Sequence, residues 1–348
     1  MRTDSPTHLP DDVSLSVRHL IKNFTTGGRW YSNKNNQIVS AVADISFDIQ
    51  RGKTMGLVGE SGCGKSTTAR CILRLIDPTS GSVLFCPNSD SEKFIDLMAE
   101  SPEELRQLRQ NMQIIFQDPF ASLNPRMTVG RTIEELLIVN ANMSRTERNN
   151  RVRDLLDLVG LESVHAKRFP HEFSGGQRQR IGVARALALN PSFVVCDEPV
   201  SALDVSIQAQ VLNLLSDLQQ EFGLTYLFIT HDLAVVRQIC DDVAVMYLGK
   251  IVEHSPVEKL FAGPMHPYTQ ALVSAAPIPN PSRQRNRTRI LLEGDVPSPI
   301  NPPSGCRFQS RCPVGKAKQK CLEVEPTLTV INGSHRVACH FPDVRPVI

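Results

Sequence analysis

The chain has 348 residues, of which 41% are apolar, and a formal net charge of +2. That length suits one large domain or two modest ones, with ample apolar content for a buried core. The near-balanced charge gives no reason to expect a nucleic-acid partner, and no apolar run approaches the roughly 20 residues of a membrane span. The start, MRTDSPTHLPDD, lacks the basic and then apolar segments of a signal peptide. The expectation is a soluble, cytosolic chain that reaches a membrane only through a partner.

Residues 13–24 (VSLSVRHLIKNF) alternate in part and predict a strand, and the polar, Gly- and Asn-rich stretch 25–37 predicts a loop. A second strand follows around residues 45–49, with Arg51-Gly52 as a turn. Residues 54–58 form a short apolar strand that runs into a glycine-rich loop and then a helix over 65–75. Residues 101–190 read as mostly helical. Within them Ser144-x-x-Glu147 is a capping box, Val152, Leu155, Leu156 and Val159 share one helix face, and Gly160 is a stop. An apolar strand over 193–196 ends at Asp197. A helix over 207–222 leads to a strand over 225–230 that ends at His231. Strands alternating with helices predict a parallel sheet with ligands at the strand C-termini. From about Ala276 the composition changes: 11 of the 24 prolines fall in the last 73 residues, which excludes long helices and suggests a separate appendage.

Gly59-Glu60-Ser61-Gly62-Cys63-Gly64-Lys65-Ser66, followed by Thr67, fits G-x-x-x-x-G-K-[ST] between a strand and a helix. Its glycines let backbone N–H groups turn inward around phosphate oxygens, and the helix N-terminus favours the same anion. Lys65 would reach the β- and γ-phosphates, and Ser66 would place its hydroxyl on Mg²⁺. Alone this motif means only a P-loop NTPase, a class that includes kinases, GTPases, helicases and transport motors.

Ser174-Gly175-Gly176-Gln177 opens a helix running to Asn190, with Ser174 as N-cap and two glycines that let backbone approach a phosphate. Asp197 then closes an apolar strand, as an aspartate that holds Mg²⁺ through water does, and Glu198 is placed to orient or deprotonate an attacking water.

With these residues in this order, residues 13–260 resemble the ABC ATPases. The resemblance implies an α/β P-loop NTPase fold: a mostly parallel sheet core, an antiparallel N-terminal β portion, a helical subdomain over about 101–190, and a small irregular Cys-containing region over 261–348. It implies that Ser174 to Gln177 contact ATP held by an opposite subunit. Asp204 in Ser201-Ala202-Leu203-Asp204 belongs to the loop that crosses the dimer interface. His231 is the switch histidine at the γ-phosphate, and Gln117 senses Mg²⁺ and the attacking water. Mg²⁺ would be held through Ser66, Gln117 and Asp197. Adenine stacking falls to Phe24, with Trp30 and Tyr31 as rivals and a place in the core as the other reading of Phe24. Because each ATP is shared between two chains, ATP is expected to join two such domains and hydrolysis to release them.

Three further stretches narrow the resemblance: QDPFASLNPR from Gln117, HPYTQAL from His266, and EGDVPSP from Glu293 with the cysteine-bearing tail after it. Together they look like the oligopeptide/dipeptide importer ATPases, which include nickel and glutathione importers, and most like the second of their two ATPase subunits. The implied partners are a sister ATPase, two membrane permeases and, indirectly, an extracytoplasmic solute-binding protein. The implied place is the cytoplasmic side of the inner membrane. Rival readings are a soluble ABC protein of translation or repair, which usually carries two ATPase domains or a long coiled coil, and a redox-sensing module.

Nine cysteines, an odd number, with no export signal argue against a disulfide framework. Cys306, Cys312, Cys321 and Cys339 cluster in the tail without a CxxC pair, and their spacing leaves zinc, an iron–sulfur cluster and free thiols all open. His335 and His340 are substitute ligands for zinc. The resemblance favours a [4Fe–4S] cluster with a structural role. Arg283, Arg285, Arg287 and Arg289 read as a solvated linker, with anionic lipid as the alternative.

Overall fold

The structure, a computed structural model, describes residues 9–26, 37–87, 94–277 and 289–344. Trp30, Tyr31, Arg283, Arg285 and Arg287 lie outside the described residues. The chain divides into two units. One takes residues 1–16, 48–53 and 83–227, the other 17–47, 54–82 and 228–348.

In the first unit the ends of β1 (Val13–Thr26) and β2 (Gln37–Gln50) join β4 (Ser80–Phe85) and β5 (Ile95–Asp96) in the order β2-β1-β4-β5. A second layer begins with β6 (Met112–Ile115), which pairs in parallel with β7 (Phe193–Asp197) from Met112 opposite Phe193 to Ile115 opposite Cys196. The first half of β8 (Thr225–Thr230) follows β7 in this sheet. β7 is buried at every residue, which is why it reads as an unbroken apolar run. Its helices are α2 (Pro102–Leu108), α3 (Pro119–Ser122), α4 (Val129–Asn140), α5 (Arg145–Leu158), α6 (Gly175–Ala186) and α7 (Val205–Phe222). The expected capping box of α5 is present: Glu147 N–H donates to Ser144 Oγ at 3.3 Å, and Ser144 N–H donates to Glu147 Oε2 at 2.7 Å. Val152, Leu155 and Leu156 are buried on the face anticipated for them. One departure is β6, a strand inside the stretch expected to be helical; its four residues are too few for periodicity to distinguish from a buried helical turn.

The second unit is ordered β11 (Thr329–Asn332), β12 (His335–Val337), β10 (Lys250–Pro256), β9 (Asp242–Tyr247) and β3 (Thr54–Val58), with the second half of β8 beyond β3. β3 (Thr54–Val58) runs parallel to β9 (Asp242–Tyr247), from Met55 opposite Asp242 to Val58 opposite Val245. β10 (Lys250–Pro256) returns antiparallel along β9. The helix after the glycine-rich loop, α1 (Lys65–Ile72), is shorter than anticipated, and Arg74 just after it takes a positive φ of 48°; α8 (Leu233–Ile239) follows β8 and α9 (Val257–Ala262) follows β10.

The tail is no separate appendage, and this corrects the compositional expectation. β12 (His335–Val337) pairs with β10 and with β11 (Thr329–Asn332). Phe308, Cys306, Cys312 and Cys321 share one apolar core with Val58, Val243, Tyr247 and Tyr268. Proline excludes long helices, and it does not stop short strands and turns from burying side chains. Among the described residues no helix is long and apolar enough to cross a membrane.

Candidate nucleotide site

In the second unit the buried strand β3 delivers the chain to Gly59, and the loop closes at the N-terminus of α1. Gly64, the residue before α1, has φ 109°; a Cβ there would stand 2.1 Å from the Ala41 carbonyl oxygen, so only glycine fits. Gly62, with φ 79°, is another left-handed position of the loop. Lys65 is buried, and its Nζ donates to the carbonyls of Gly59 at 2.8 Å and Glu60 at 3.0 Å. Its ammonium is thus held folded back over the loop that it is expected to share with phosphate. Cys63 Sγ lies 3.9 Å from it; burial pushes that thiol up, and the ammonium pulls against the shift. Ser66 and Thr67 are half-buried, and Ser61 is exposed. His231 follows β8 in the same unit and is exposed. Phe24, on β1, has a ring 37% exposed with the Lys22 ammonium 4.9 Å from its centroid, so one face already meets a cation.

Sequence reasoning missed two further residues at this loop. Arg311, in a short turn Gln309–Arg311, grips the Glu60 carboxylate with both arms of its fork: Nη1 to Oε2 is 2.8 Å and Nη2 to Oε1 is 3.2 Å. Tyr268, in α10 (Pro267–Ala275), accepts the Glu60 backbone N–H on its hydroxyl at 3.0 Å. Both sit in motifs that carried the family resemblance. A contact spanning 251 residues leaves no local trace from which its partner could be read.

The first unit holds the remaining residues. Ser174 caps α6 in a capping box with Gln177: Gln177 N–H donates to Ser174 Oγ at 3.3 Å, and Ser174 N–H donates to Gln177 Oε1 at 3.0 Å. Gly175 at the tip is exposed. Gly176 faces α7 so closely that a Cβ would meet Ile207 Cγ2 at 2.3 Å. The serine-led tip is therefore capped in place and faces outward. Asp197 is buried at the end of β7. Glu198 takes φ 47°, a strained conformation for a non-glycine residue of the kind that clusters at reacting sites. Gln117 Nε2 donates to Glu198 Oε2 at 3.0 Å, so the structure brings these two predicted residues together. Arg185 Nη1 ties the segment after Gln117 to α6 by donating to the Ser122 carbonyl at 2.8 Å. Asp204 is exposed and caps α7 by position, with no side-chain cap bond.

Residues 42–201 match the family model described as ABC transporter, and residues 252–321 match the one described as oligopeptide/dipeptide transporter, C-terminal region. The chain is 52% identical over 329 residues to a probable peptide ABC transporter ATP-binding protein, y4tS, of Sinorhizobium fredii, covering 94% of this chain and 90% of that one. It is 51% identical over 331 residues to the oligopeptide transport ATP-binding protein AppF of Bacillus subtilis, covering 95% of this chain and 98% of that one. The chain belongs to the ABC transporter family. Among solved structures, a dimeric post-hydrolysis form of the ATP-binding cassette MJ0796 bound to ADP and Pi is similar at a TM-score of 0.60 and 29% identity. That match spans 70% of this chain and 98% of that one. The expected α/β P-loop NTPase fold is thereby borne out.

In the tail of this ABC protein all four clustered cysteines are free, with Cys306, Cys312 and Cys321 buried and Cys339 half-buried. Burial, with the neighbouring sulfurs adding to it, pushes the thiol of Cys306 up to about 12 and that of Cys339 up to about 11. Two sulfurs accept backbone N–H groups, Cys312 from Gly315 at 3.2 Å and Cys339 from Phe341 at 3.4 Å. Gly315 admits no Cβ, which would stand 2.8 Å from Cys321 Sγ and 3.4 Å from Cys312 Sγ. Among the described residues, no group of three or more His, Cys, Asp or Glu forms a site for a metal ion. The substitute ligands are engaged elsewhere: His335 Nε2 meets buried Glu253 at 2.7 Å, and His340 Nε2 meets the Val324 carbonyl at 2.7 Å. His266, the first residue of HPYTQAL, is likewise structural. It is buried, its Nδ1 accepts the Tyr268 N–H at 3.1 Å, and burial lowers its pKa to about 4.

Proposed function

We propose that this chain is the ATP-binding and ATP-hydrolysing subunit that powers a peptide-type importer, a peripheral subunit on the cytoplasmic side of the inner membrane. The observation that carries this reading is its near full-length likeness to ATP-binding proteins named for peptide and oligopeptide transport, with the C-terminal region of that group included.

In this reading the backbone of Gly59, Glu60, Ser61, Gly62, Cys63 and Gly64 cradles the phosphates, Lys65 meets the β- and γ-phosphates, and Thr67 completes the loop. Ser66, Asp197 and Gln117 would hold Mg²⁺, which neutralises phosphate charge when bound. Gln117 keeps the Glu198 carboxylate oriented, Glu198 takes the proton of the attacking water, and His231 meets the γ-phosphate. Ser174 to Gln177 serve the ATP of a sister ATPase, with Asp204 at the interface between them, so each site needs both chains. Two permeases and an extracytoplasmic binding protein complete the assembly. Affinity purification of the tagged chain from membranes should bring down two membrane permeases and a non-identical ATPase, and deletion should abolish growth on peptides as nitrogen source. Recovery with ribosomes instead would sink the importer reading. Loss of nickel or glutathione uptake in place of peptide uptake would move the solute class.

The same reading gives Cys306, Cys312, Cys321 and Cys339 to a [4Fe–4S] cluster. Support comes from four free sulfurs, of which burial, with neighbouring sulfurs adding to it, pushes up the thiols of Cys306, Cys321 and Cys339, and from two that accept backbone N–H groups as cluster sulfurs commonly do. Cysteines of a cluster each ligate a different iron, so they need not converge as the ligands of one ion do. Thiolates ligate iron, so loading protonated thiols releases protons. Anaerobically purified chain should contain iron and absorb near ~400 nm; iron-free, colourless protein refutes the assignment.

A further inference from the structure

Glu60 lies inside the phosphate loop, and its carboxylate pairs with a residue of the C-terminal region. Both of its polar ends are held from the C-terminal region. The carboxylate is forked by Arg311, and the backbone N–H is capped by Tyr268. The Arg311 side chain is 9% exposed and the Glu60 side chain 28%, so the fork is partly sheltered from water. The carbonyl of the same residue accepts from Lys65 Nζ at 3.0 Å. The path is therefore short: tail guanidinium, Glu60, Lys65. Phe308, three residues before Arg311, packs its ring at 5.5 Å from Tyr268 and 5.2 Å from Tyr247, and Tyr247 stands 4.8 Å from Tyr268. One turn of the tail, bracketed by Cys306 and Cys312, thus carries both the ion that grips Glu60 and the wedge that fixes the tyrosine capping it.

We infer that Arg311 and Tyr268 are positioning residues for the phosphate loop, by which the cysteine-bearing tail sets the affinity of this site for ATP. The inference rests on the assignment of that loop to ATP. Arg311 and Tyr268 act through Glu60 and touch no reacting atom, so their loss is felt in binding more than in chemistry.

The test is ATP titration of the full-length chain by calorimetry, paired with hydrolysis by the assembled transporter. Arg311→Gln should weaken ATP binding by about tenfold while kcat at saturating ATP stays within about twofold. Arg311→Lys, which keeps the charge and gives up the fork, should fall between it and the wild type. Because the effect runs through Glu60, the double variant Glu60→Gln with Arg311→Gln should bind no more weakly than Arg311→Gln alone. Where Arg311→Gln yields too little folded protein, Arg311→Lys carries the comparison. Wild-type affinity in both variants, additive losses in the double variant, or a fall in kcat matching the rise in KM each overturns the inference. A wild-type chain that binds no ATP overturns the nucleotide assignment instead, so the two failures are told apart.

Discussion

Glu198→Gln is expected to cut ATP turnover by about 10²- to 10⁴-fold while leaving ATP binding intact. The amide matches the carboxylate in shape and can still accept the Gln117 amide, which now lies 3.0 Å from Glu198 Oε2. What it loses is the basicity that takes a proton from water. The strained backbone at φ 47° is set by the chain around it, including the Ser201 hydroxyl and N–H that bond the Glu198 carbonyl at 3.1 and 3.3 Å, so the altered side chain should keep its place. With hydrolysis blocked, the ATP-joined pair of ATPase subunits should persist. Phosphate release and size-exclusion chromatography with and without ATP together check this. Turnover within tenfold of the wild type would remove Glu198 from the role of base.

The second large effect is on folding. Phe308→Ala should destabilise the chain by about 3–5 kcal/mol, the range for deleting a buried aromatic ring. The ring is 1% exposed and lies against Tyr247, Tyr268 and His266, with centroids 5.2, 5.5 and 5.6 Å away. Such a loss is a large share of the roughly 5–15 kcal/mol that keeps a domain folded. Phe308→Leu keeps most of the volume and should cost much less. The urea midpoint of unfolding measures both. An unmoved midpoint for the alanine variant would mean that the tail is held independently of the core after all.

Where side-chain chemistry is local, the sequence was readable. The strand, glycine loop and lysine of residues 54–65 announce themselves because backbone shape and anion binding are set within a dozen residues. The same holds for Ser144 with Glu147 and for Ser174 with Gln177, whose caps need only three residues. β6 was hidden because four apolar residues fit a helix as well as a strand. Phe24 came out exposed rather than in the core, yet with a lysine already over its ring. The tail was the hardest part. Its prolines correctly exclude long helices, but burial of Phe308 or of three cysteines depends on surfaces supplied by β9, β10 and α10, far away in the chain. The pairing of Arg311 with Glu60 was hidden for the same reason: either residue alone looks like ordinary surface charge.

The strand pairing of the tail has a consequence for solubility. β10 is flanked on one side by β9 and on the other by β12, with Glu253 opposite Val337 and His254 opposite Arg336. Remove residues 329–337 and β10 loses its strand partner along Glu253 and His254, leaving backbone N–H and C=O groups at a sheet edge of the kind on which other chains stack. The edge that the intact chain presents instead is β11, only four residues long and interrupted by a bulge between Val330 and Asn332. Short, irregular edges resist such stacking. A chain shortened before residue 329 is therefore expected to self-associate more than the intact chain, which size-exclusion chromatography of the two would show.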